Sequence, residues 1–403
     1  MNARQIDEDD INTFLGLHKH TVAASNADGG QRVNSFCHLS PQCPRGIGTP
    51  ANDVNNGTSG MQRPTFGEES RESEARRNHQ KESLPDSYDA CVTVALFLDR
   101  NFRTTDEWLS LLSLAMPNEK VALISEIDDF SSVDVALVRG VDPGNLRVLP
   151  SLAFVQCLWA GVERLLNHPD IPNHLPLARM VDPAMAVQMA NSVAAHVLDI
   201  YLQNDVYRHQ QAARVWQPHH LGSAAGFTVG ILGLGALGRE CATMLRALGF
   251  GVIGWRASAR ELTTDANGTR CSHELADITS TADVIVNLLP LTPQTVGILK
   301  AEFFDSMKPG ASIINVARGG HLVDDDLLRA LTTGRVRRAV LDVFSAEPLS
   351  RQHPFWTHPA ITITPHIAAE TDPGTASAVI AENVRAWRSG GELTGLVDRS
   401  RAY

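Results

Sequence analysis

Three residues with acid–base or anion-binding side chains stand just after strand-like apolar runs. Arg318 follows Ser-Ile-Ile-Asn-Val-Ala, Glu347 lies three residues past Ala-Val-Leu-Asp-Val-Phe, and His366 follows Ile-Thr-Ile-Thr-Pro. Taken singly, each has an ordinary explanation: a salt-bridge arginine, a turn glutamate before a proline, and a structural histidine. Together they form the set needed to reduce a 2-keto acid. Arg318 can hold the carboxylate and polarise the ketone, and His366 can donate the proton. Glu347 can pair with the imidazole and favour its protonated form.

A glycine-rich turn, Gly233-Leu-Gly235-Ala-Leu-Gly238, directly follows the strand-like run 227–232 and opens a helix-like segment, 239–248. In that context each glycine has a role: a tight turn, room for a pyrophosphate, and close packing of helix on strand. The helix N-terminus also offers free N–H groups to phosphates. A glycine-rich turn without a ligand is the alternative, which the context disfavours. The predicted dinucleotide contacts here are Gly233, Gly235, Ala236, Leu237 and Gly238.

The next strand-like run ends at Trp255, where an NAD enzyme places an Asp or Glu for the ribose 2′-hydroxyl. This chain has Arg256, Ser258 and Arg260 there, and no carboxylate until Glu261. Guanidinium groups suit a dianionic 2′-phosphate because they make charge-assisted, bidentate contacts. The sequence therefore predicts NADPH (NADP) in preference to NADH. The alternative is that both arginines are solvated surface charges.

These residues need a scaffold, and from Cys91 onward short apolar runs alternate with helical segments, as in βα units with a parallel sheet. The predicted strands form two sets: 91–98, 121–124, 133–138, 153–157 and 178–181, then 227–232, 252–255, 283–289, 312–317, 339–344 and 361–364.

Between the two sets a helix is predicted over residues 183–213. Asp182 is its expected N-cap and Pro183 its first residue. Apolar residues recur close to every fourth position, as on a buried face: Met185, Met189, Val193, Val197 and Ile200. Ordinary core packing is the simpler interpretation of this stripe, and the length also suits a strut between domains.

Charge and composition exclude several functional classes. The 403 residues carry 35 Lys and Arg against 45 Asp and Glu, a net charge of −10, which argues against a nucleic-acid or anionic-membrane surface. No run approaches the roughly 20 apolar residues that cross a bilayer. The acidic start resembles neither a signal nor a transit peptide. Six scattered cysteines without a CxxC pair indicate no disulfide framework and no metal site. We therefore expect a cytoplasmic protein.

Residues 1–87 differ from the rest in being rich in Gly, Asn, Ser and Pro and poor in large apolar side chains. Such a segment cannot bury enough apolar surface to offset the entropy of ordering. We expect a disordered N-terminal extension. A docking element for a partner is the alternative.

Several spaced segments share a pattern with one known family. They are Leu158-Trp-Ala-Gly-Val162, Gly230-Ile-Leu-Gly-Leu-Gly-Ala-Leu-Gly238, Asn287-Leu-Leu-Pro-Leu-Thr-Pro293, Asn315-Val-Ala-Arg-Gly-Gly320, Leu341-Asp-Val-Phe-Ser-Ala-Glu-Pro348, Thr364-Pro-His-Ile-Ala368 and the ending Val397-Asp-Arg-Ser-Arg-Ala-Tyr403. On these segments the chain after residue 87 resembles a D-2-hydroxyacid dehydrogenase, specifically of the glyoxylate/hydroxypyruvate reductase A type.

The resemblance implies an α/β fold with two Rossmann-like doubly wound domains. A flavodoxin-like substrate domain would comprise residues 88–186 and 368–403, with an NAD(P)-binding Rossmann domain, 187–367, inserted between them and the extension 1–87 in front. The resemblance also implies a homodimer, built around the interdomain helices and an arm near Trp216.

The resemblance assigns roles to individual residues as well. Arg318, Glu347 and His366 take the places of the family's catalytic residues. Asp342 takes the place of the residue that binds the nicotinamide carboxamide; the alternative for Asp342 is a buried aspartate that only caps the backbone. The substrate-binding residues are Ala160, Gly161, Val162, Arg318 and His366, the first three through backbone amides that receive a carboxylate. The remaining cofactor-lining residues are Leu289, Pro290, Thr292, Val316 and Ala317.

Two neighbours of the carboxylate loop depart from some relatives, which carry Gly and Asp where this chain has Trp159 and Glu163. The tryptophan either narrows the pocket toward small acids or simply packs.

The predicted reaction is NADPH-dependent reduction of glyoxylate to glycolate and of hydroxypyruvate to D-glycerate. One alternative is another member of the family, such as a 3-phosphoglycerate dehydrogenase. Arg256 and the lack of any regulatory segment after residue 403 disfavour it. The other alternative is a cofactor-sensing binding protein that uses the extension to dock. Such a protein has no need of Arg318, Glu347 and His366 together.

Overall fold

Two sheets of mainly parallel strands follow one another along the chain. The computed structural model describes residues 93–139, 145–166, 168–256, 263–264 and 268–401. The predicted disordered extension, residues 1–87, lies outside these ranges, as do Ser258 and Arg260. The sheets confirm the predicted α/β class with two doubly wound lobes.

The first sheet contains, among the described residues, β1 (Thr93–Phe97), β2 (Lys120–Leu123), β3 (Val133–Val138), β4 (Phe154–Cys157) and β5 (Leu177–Ala178). The strands lie in the order β2-β1-β3-β4-β5, and each neighbouring pair is parallel. This is the flavodoxin-like order that the resemblance implied. Helix α1 (Thr105–Ala115) connects β1 to β2, and the short helix α2 (Glu163–Leu166) follows β4. Strands such as β4 are buried throughout, which explains their unbroken apolar runs.

The second sheet contains β6 (Thr228–Leu232), β7 (Gly251–Trp255), β8 (Thr263–Thr264), β9 (Arg270–Ser272), β10 (Val284–Asn287), β11 (Ala311–Asn315), β12 (Val336–Leu341) and β13 (Ile361–Ile363). Their order is β13-β12-β11-β10-β6-β7-β9-β8, and β8 alone of these runs antiparallel to its neighbour. The order reverses between β6 and β10, which is where doubly wound sheets bind ligands. Strands β8 and β9 were not predicted, because both are short and lack an apolar run. The helices beside this sheet are α5 (Ala236–Ala247), α6 (Leu275–Thr279), α7 (Ala301–Ser306) and α8 (Asp324–Thr332).

The predicted continuous helix over residues 183–213 is wrong. Helix α3 (Pro183–Tyr201) ends at Tyr201. Gln203 then adopts a left-handed φ of 55°, and a second helix, α4 (Asn204–Ala213), follows. Helix α4 has no buried residue, so no core contact holds it in line with α3. The predicted N-cap is confirmed, because the Asp182 carboxylate accepts a hydrogen bond from the amide of Ala184 at 2.8 Å.

Helix α3 belongs to the core of the second sheet. The predicted stripe is buried, and all of it except the first residue packs in one apolar cluster with β6, β10 and β11. The recurrence of apolar residues at about every fourth position therefore identifies the face of α3 that packs in the core. Within the described ranges, no helix combines the length and apolarity needed to span a bilayer.

Helix α9 (Pro373–Ser389) returns to the first sheet. Its residues Ala376, Ile380 and Val384 share an apolar cluster with β1, β3 and α1. Arg388 near its end makes ion pairs with both Glu119 and Asp134. We propose accordingly that residues 88–186 and 368–403 form one lobe and residues 187–367 the other.

Candidate active site

The predicted catalytic residues follow three neighbouring strands of the second sheet. Arg318 comes after β11, Glu347 after β12 and His366 after β13, and these strands are adjacent and parallel. Parallel strands place their carboxyl ends at one edge, so the structure brings the three loops together.

His366 and Glu347 form a hydrogen-bonded pair. Nδ1 of the imidazole lies 2.8 Å from Oε2 of the glutamate, whose Oε1 accepts from the amide of Phe344 at 2.9 Å. Because an ionised carboxylate only accepts, Nδ1 carries the proton and Nε2 is left for a ligand. The side chains of His366 and Glu347 are 47% and 36% exposed, so a small molecule can reach them.

Asp342 holds the backbone that carries His366. Its carboxylate is 1% exposed and accepts from the Thr364 hydroxyl at 2.6 Å and from the amides of Ile367 and Ala368 at 2.9 and 3.0 Å. The carbonyl of Asp342 accepts from the His366 amide at 2.8 Å, and His366 has a left-handed φ of 56°. The predicted alternative, a buried capping Asp, describes these contacts. A contact with a nicotinamide carboxamide stays a prediction.

Arg318 lies against the predicted carboxylate loop of the other lobe. Its Nη1 donates to the carbonyl of Ala317 at 2.7 Å, and its Nε lies 3.1 Å from Oε1 of Glu163. A Cβ added to Gly161 would lie 1.9 Å from Nη2 of Arg318. The structure thus places the Ala160-Gly161-Val162 loop against the arginine, and the binding of a substrate carboxylate by both stays a prediction.

A buried polar network supports the loops that follow β10 and β11. Nε2 of His321 lies 3.2 Å from the carbonyl of Pro290, and Nδ1 lies 3.0 Å from Asn287 Nδ2 and 3.1 Å from the carbonyl of Arg318. Asn287 Nδ2 also donates to Asn315 Oδ1, and Asn315 Nδ2 donates to the carbonyl of Arg318. Burial lowers the pKa of His321 and so favours the neutral ring, against the opposing effect of the Pro290 and Arg318 carbonyls. The sequence patterns did not point to this network. The available signal was an asparagine ending each of two buried strands.

The three glycines of the turn differ in their surroundings. Gly233 has a φ of 97°, and a Cβ on Gly238 would lie 2.0 Å from the carbonyl oxygen of Gly233. Gly235, at the N-cap of α5, has no described atom within 4 Å of an added Cβ. This open approach to a helix N-terminus fits a pyrophosphate, so the residues present suit the predicted dinucleotide.

The other predicted cofactor contacts lie around this turn. Ala236 and Leu237 begin α5, and Leu237 packs against apolar clusters of both lobes. Thr295 ties the loop after β10, because its hydroxyl donates to the carbonyl of Pro290 at 2.6 Å and accepts from the amide of Thr292 at 2.8 Å. The remaining predicted contacts in this region are buried: Leu289, Val316 and Ala317.

Arg256 is exposed at the carboxyl end of β7, and its amide donates to the carbonyl of Ser272. Trp159 is partly buried and packs against two apolar clusters of the first lobe, which favours packing over pocket narrowing. In the described part of the chain, no group of three His, Cys, Asp or Glu side chains could hold a metal ion.

Comparisons with known proteins agree with this architecture. Residues 194–368 match the family model for the NAD binding domain of D-isomer specific 2-hydroxyacid dehydrogenases. The chain is 39% identical to glyoxylate/hydroxypyruvate reductase A of Yersinia enterocolitica over 307 residues, 75% of this chain and 97% of that protein.

Two solved structures are similar along their full length. One is a D-isomer specific 2-hydroxyacid dehydrogenase from Xanthobacter autotrophicus in complex with NADPH and MES, with a TM-score of 0.73, 33% identity and coverage of 78% of this chain and 100% of that one. The other is the NADPH-dependent glyoxylate/hydroxypyruvate reductase of Sinorhizobium meliloti in complex with NADP and sulfate, with a TM-score of 0.71, 32% identity and coverage of 77% and 100%. The resemblance inferred from the motifs is thus confirmed: the chain belongs to the D-isomer specific 2-hydroxyacid dehydrogenase family and is an oxidoreductase of the glyoxylate/hydroxypyruvate reductase A type.

Proposed function

We propose that the protein reduces small 2-keto acids with NADPH, converting glyoxylate to glycolate and hydroxypyruvate to D-glycerate. The observation that carries this proposal is the arrangement of a hydrogen-bonded His366–Glu347 pair and an Arg318 that lies against the Gly161 backbone, on loops at one sheet edge. The similarity to glyoxylate/hydroxypyruvate reductase A supports the same substrate class.

Each side chain has a task set by its chemistry. Arg318 pairs with the substrate carboxylate and polarises the ketone oxygen, while the amides of the 160–162 loop receive the same carboxylate. A bound nicotinamide supplies the hydride that reaches the carbonyl carbon. His366 donates the Nε2 proton to the ketone oxygen, so the product is the neutral hydroxyl. Glu347 stabilises the imidazolium and fixes its orientation through Nδ1.

NADPH is the proposed cofactor in preference to NADH. The exposed Arg256 at the end of β7 is available to a 2′-phosphate, with Ser258 and Arg260 as further predicted contacts. The two similar structures contain NADPH and NADP. Replacing Arg256 by alanine should lower kcat/KM for NADPH while leaving that for NADH unchanged.

We also propose that the protein works as a cytoplasmic homodimer. Trp216, in the segment after α4, is 98% exposed, and Val215 beside it is exposed as well. In a dimer, a second copy of the chain would cover this arm and bury the two apolar side chains that a single chain leaves exposed to water. The cysteines Cys157 and Cys241 are free and buried, and Cys271 is buried as well, as suits a reducing compartment. Light scattering of wild type and Trp216→Ser tests the dimer.

Turnover of the purified chain tests the function. NADPH and NADH oxidation is followed by absorbance with glyoxylate, hydroxypyruvate, pyruvate and phenylpyruvate. We expect His366→Gln to lower kcat by about 10²–10⁴-fold, because proton transfer is lost. Arg318→Gln should lower kcat/KM for the acid comparably, and both variants should bind NADPH within about threefold of wild type. Unchanged turnover in both variants, or tight NADPH binding without turnover in the wild type, would contradict the proposal.

A further inference from the structure

Glu163 contacts the catalytic arginine from the opposite lobe. It begins α2, directly after the Ala160-Gly161-Val162 loop, and its Oε1 lies 3.1 Å from Nε of Arg318. The two side chains are 26% and 32% exposed, so the pair is neither fully solvated nor sealed in the core. Half-buried charges attract each other more strongly than charges in open water.

The guanidinium of Arg318 is held at two further points. Nη1 donates to the carbonyl of Ala317 at 2.7 Å, and Nη2 occupies the space where a side chain on Gly161 would begin. With Glu163 on the Nε side, the plane of the guanidinium is set by contacts from both lobes. An arginine side chain has about 2 kcal/mol of rotamer entropy, so this orientation needs such contacts to persist.

The loop that presents Gly161 is itself well held. The Sγ of Cys157 accepts from the amide of Trp159 at 3.4 Å and lies 3.7 Å from the carbonyl of Gly161. Burial raises the pKa of the Cys157 thiol to about 12, so this group stays neutral. The position of the loop therefore does not rest on Glu163 alone.

A carboxylate beside an anion-binding site opposes the binding of an acidic substrate. Glu163 brings a negative charge to the arginine that is proposed to receive the substrate carboxylate, and like charges repel. Its presence lowers substrate affinity, so its benefit must lie elsewhere. Fixing the direction of the Arg318 N–H groups toward the ketone oxygen is such a benefit.

We propose that Glu163 is a positioning residue for the reduction of 2-keto acids, because its charge sets the orientation of Arg318. This inference rests on the proposed function. When the charge is removed, the arginine still attracts a carboxylate, but its N–H groups no longer point at the ketone. The turnover number should fall while KM for the acid stays constant or decreases.

Two substitutions separate charge from shape. Glu163→Gln keeps the volume of the side chain and removes the charge, whereas Glu163→Asp keeps the charge on a shorter arm. A positioning charge predicts that kcat falls about 10–100-fold in Glu163→Gln and stays within about fivefold of wild type in Glu163→Asp, with KM for glyoxylate not raised in either. If Glu163 only packs, kcat should instead stay near wild type in Glu163→Gln, which keeps the volume, and fall in Glu163→Asp, which does not. Glu119→Gln is the matched control, because Glu119 pairs with Arg388 away from the site. It should leave kcat and KM unchanged.

A second measurement does not depend on turnover. ¹⁵N relaxation of the Arg318 Nε, assigned by its loss in Arg318→Lys, should show a rigid group in the wild type and in Glu163→Asp, and a mobile one in Glu163→Gln. An arginine equally rigid in all three, or a Glu163→Gln variant with wild-type kcat, overturns the inference. If no acid is turned over by the wild type, the proposed function fails, and the relaxation data still decide whether Glu163 orients Arg318.

Discussion

Replacing Asp342 by alanine is expected to destabilise the protein by about 3–5 kcal/mol. The buried carboxylate accepts from the Thr364 hydroxyl and from the amides of Ile367 and Ala368. A hydrogen bond to a charged group contributes about 1.5–3 kcal/mol, so three bonds set an upper limit of about 5–9 kcal/mol. The hydroxyl can rotate to another acceptor and water can reach the vacated space, which reduces the loss.

The same substitution should lower activity through His366. A left-handed backbone costs a residue other than glycine about 1–3 kcal/mol, and the surrounding hydrogen bonds hold His366 in it. When the carboxylate of Asp342 is removed, the loop can relax and the imidazole moves. A displacement near 1 Å costs about 10²-fold in rate, so we expect kcat to fall by about that factor.

Urea unfolding and steady-state kinetics measure both effects. Asp372→Ala is the control, because the Asp372 carboxylate caps α9 by accepting from the single amide of Gly374 and is exposed. Its loss should cost about 1 kcal/mol and leave kcat unchanged. The reasoning is refuted if Asp342→Ala unfolds within about 1 kcal/mol of wild type while its Kd for NADPH rises, because the carboxylate would then serve the cofactor and not the loop.

Three other substitutions test the glycine turn and the buried histidine. Gly235→Ala should leave the midpoint of thermal unfolding within about 2 °C of wild type but weaken NADPH binding about tenfold or more, because an added methyl meets only the space proposed for the pyrophosphate. Gly238→Ala should instead lower the midpoint, since its Cβ would overlap the carbonyl oxygen of Gly233; equal thermal midpoints would contradict this. Because burial lowers the pKa of His321 below the usual 6.5 of a histidine, the unfolded chain gains a proton on this residue at higher pH than the folded one. The resulting stability is complete above pH 6.5 and is lost as the pH falls below it. His321→Gln should therefore show a smaller loss of unfolding free energy than wild type between pH 7.5 and 5.5, and an identical pH dependence would contradict the argument.

Two of the strands that carry the site, β11 and β12, could be predicted because they are almost wholly buried, whereas β13 is only partly buried and was predicted from its β-branched residues. Strand β11 is buried along its whole length, so it reads as an unbroken apolar run that ends close to Arg318. Once the strands are known to be parallel, their carboxyl ends meet, and this rule alone brings Glu347 and His366 to the same edge. The glycine turn was predictable for a related reason, since backbone approaches at Gly233 and Gly238 exclude any other residue.

The pairing of Glu347 with His366 could be predicted from the sequence, but the contact that orients Arg318 could not. The pair between Glu163 and Arg318 joins residues 155 positions apart on different lobes, and no local pattern marks it. The break at Gln203 was missed because the residues after it are compatible with a helix and do form one, α4, which has no buried residue. Sequence periodicity indicates which residues are buried, whereas these features depend on which surfaces of the folded protein pack against each other.

The two side chains proposed as catalytic, His366 and Arg318, are held in different ways. The imidazole of His366 is held by Glu347, and its backbone is held by the loop that Asp342 binds through the amides of Ile367 and Ala368. Arg318 is held by the carbonyl of Ala317, which follows β11, and also by Glu163 and Gly161 of the substrate loop. Under the proposed function, the group that would donate the proton is held by Glu347 and by the loop that Asp342 binds, whereas the group that would polarise the ketone is held in part by Glu163 and Gly161 of the substrate loop. Substitutions in the substrate loop should therefore disturb the orientation of Arg318 more than that of His366.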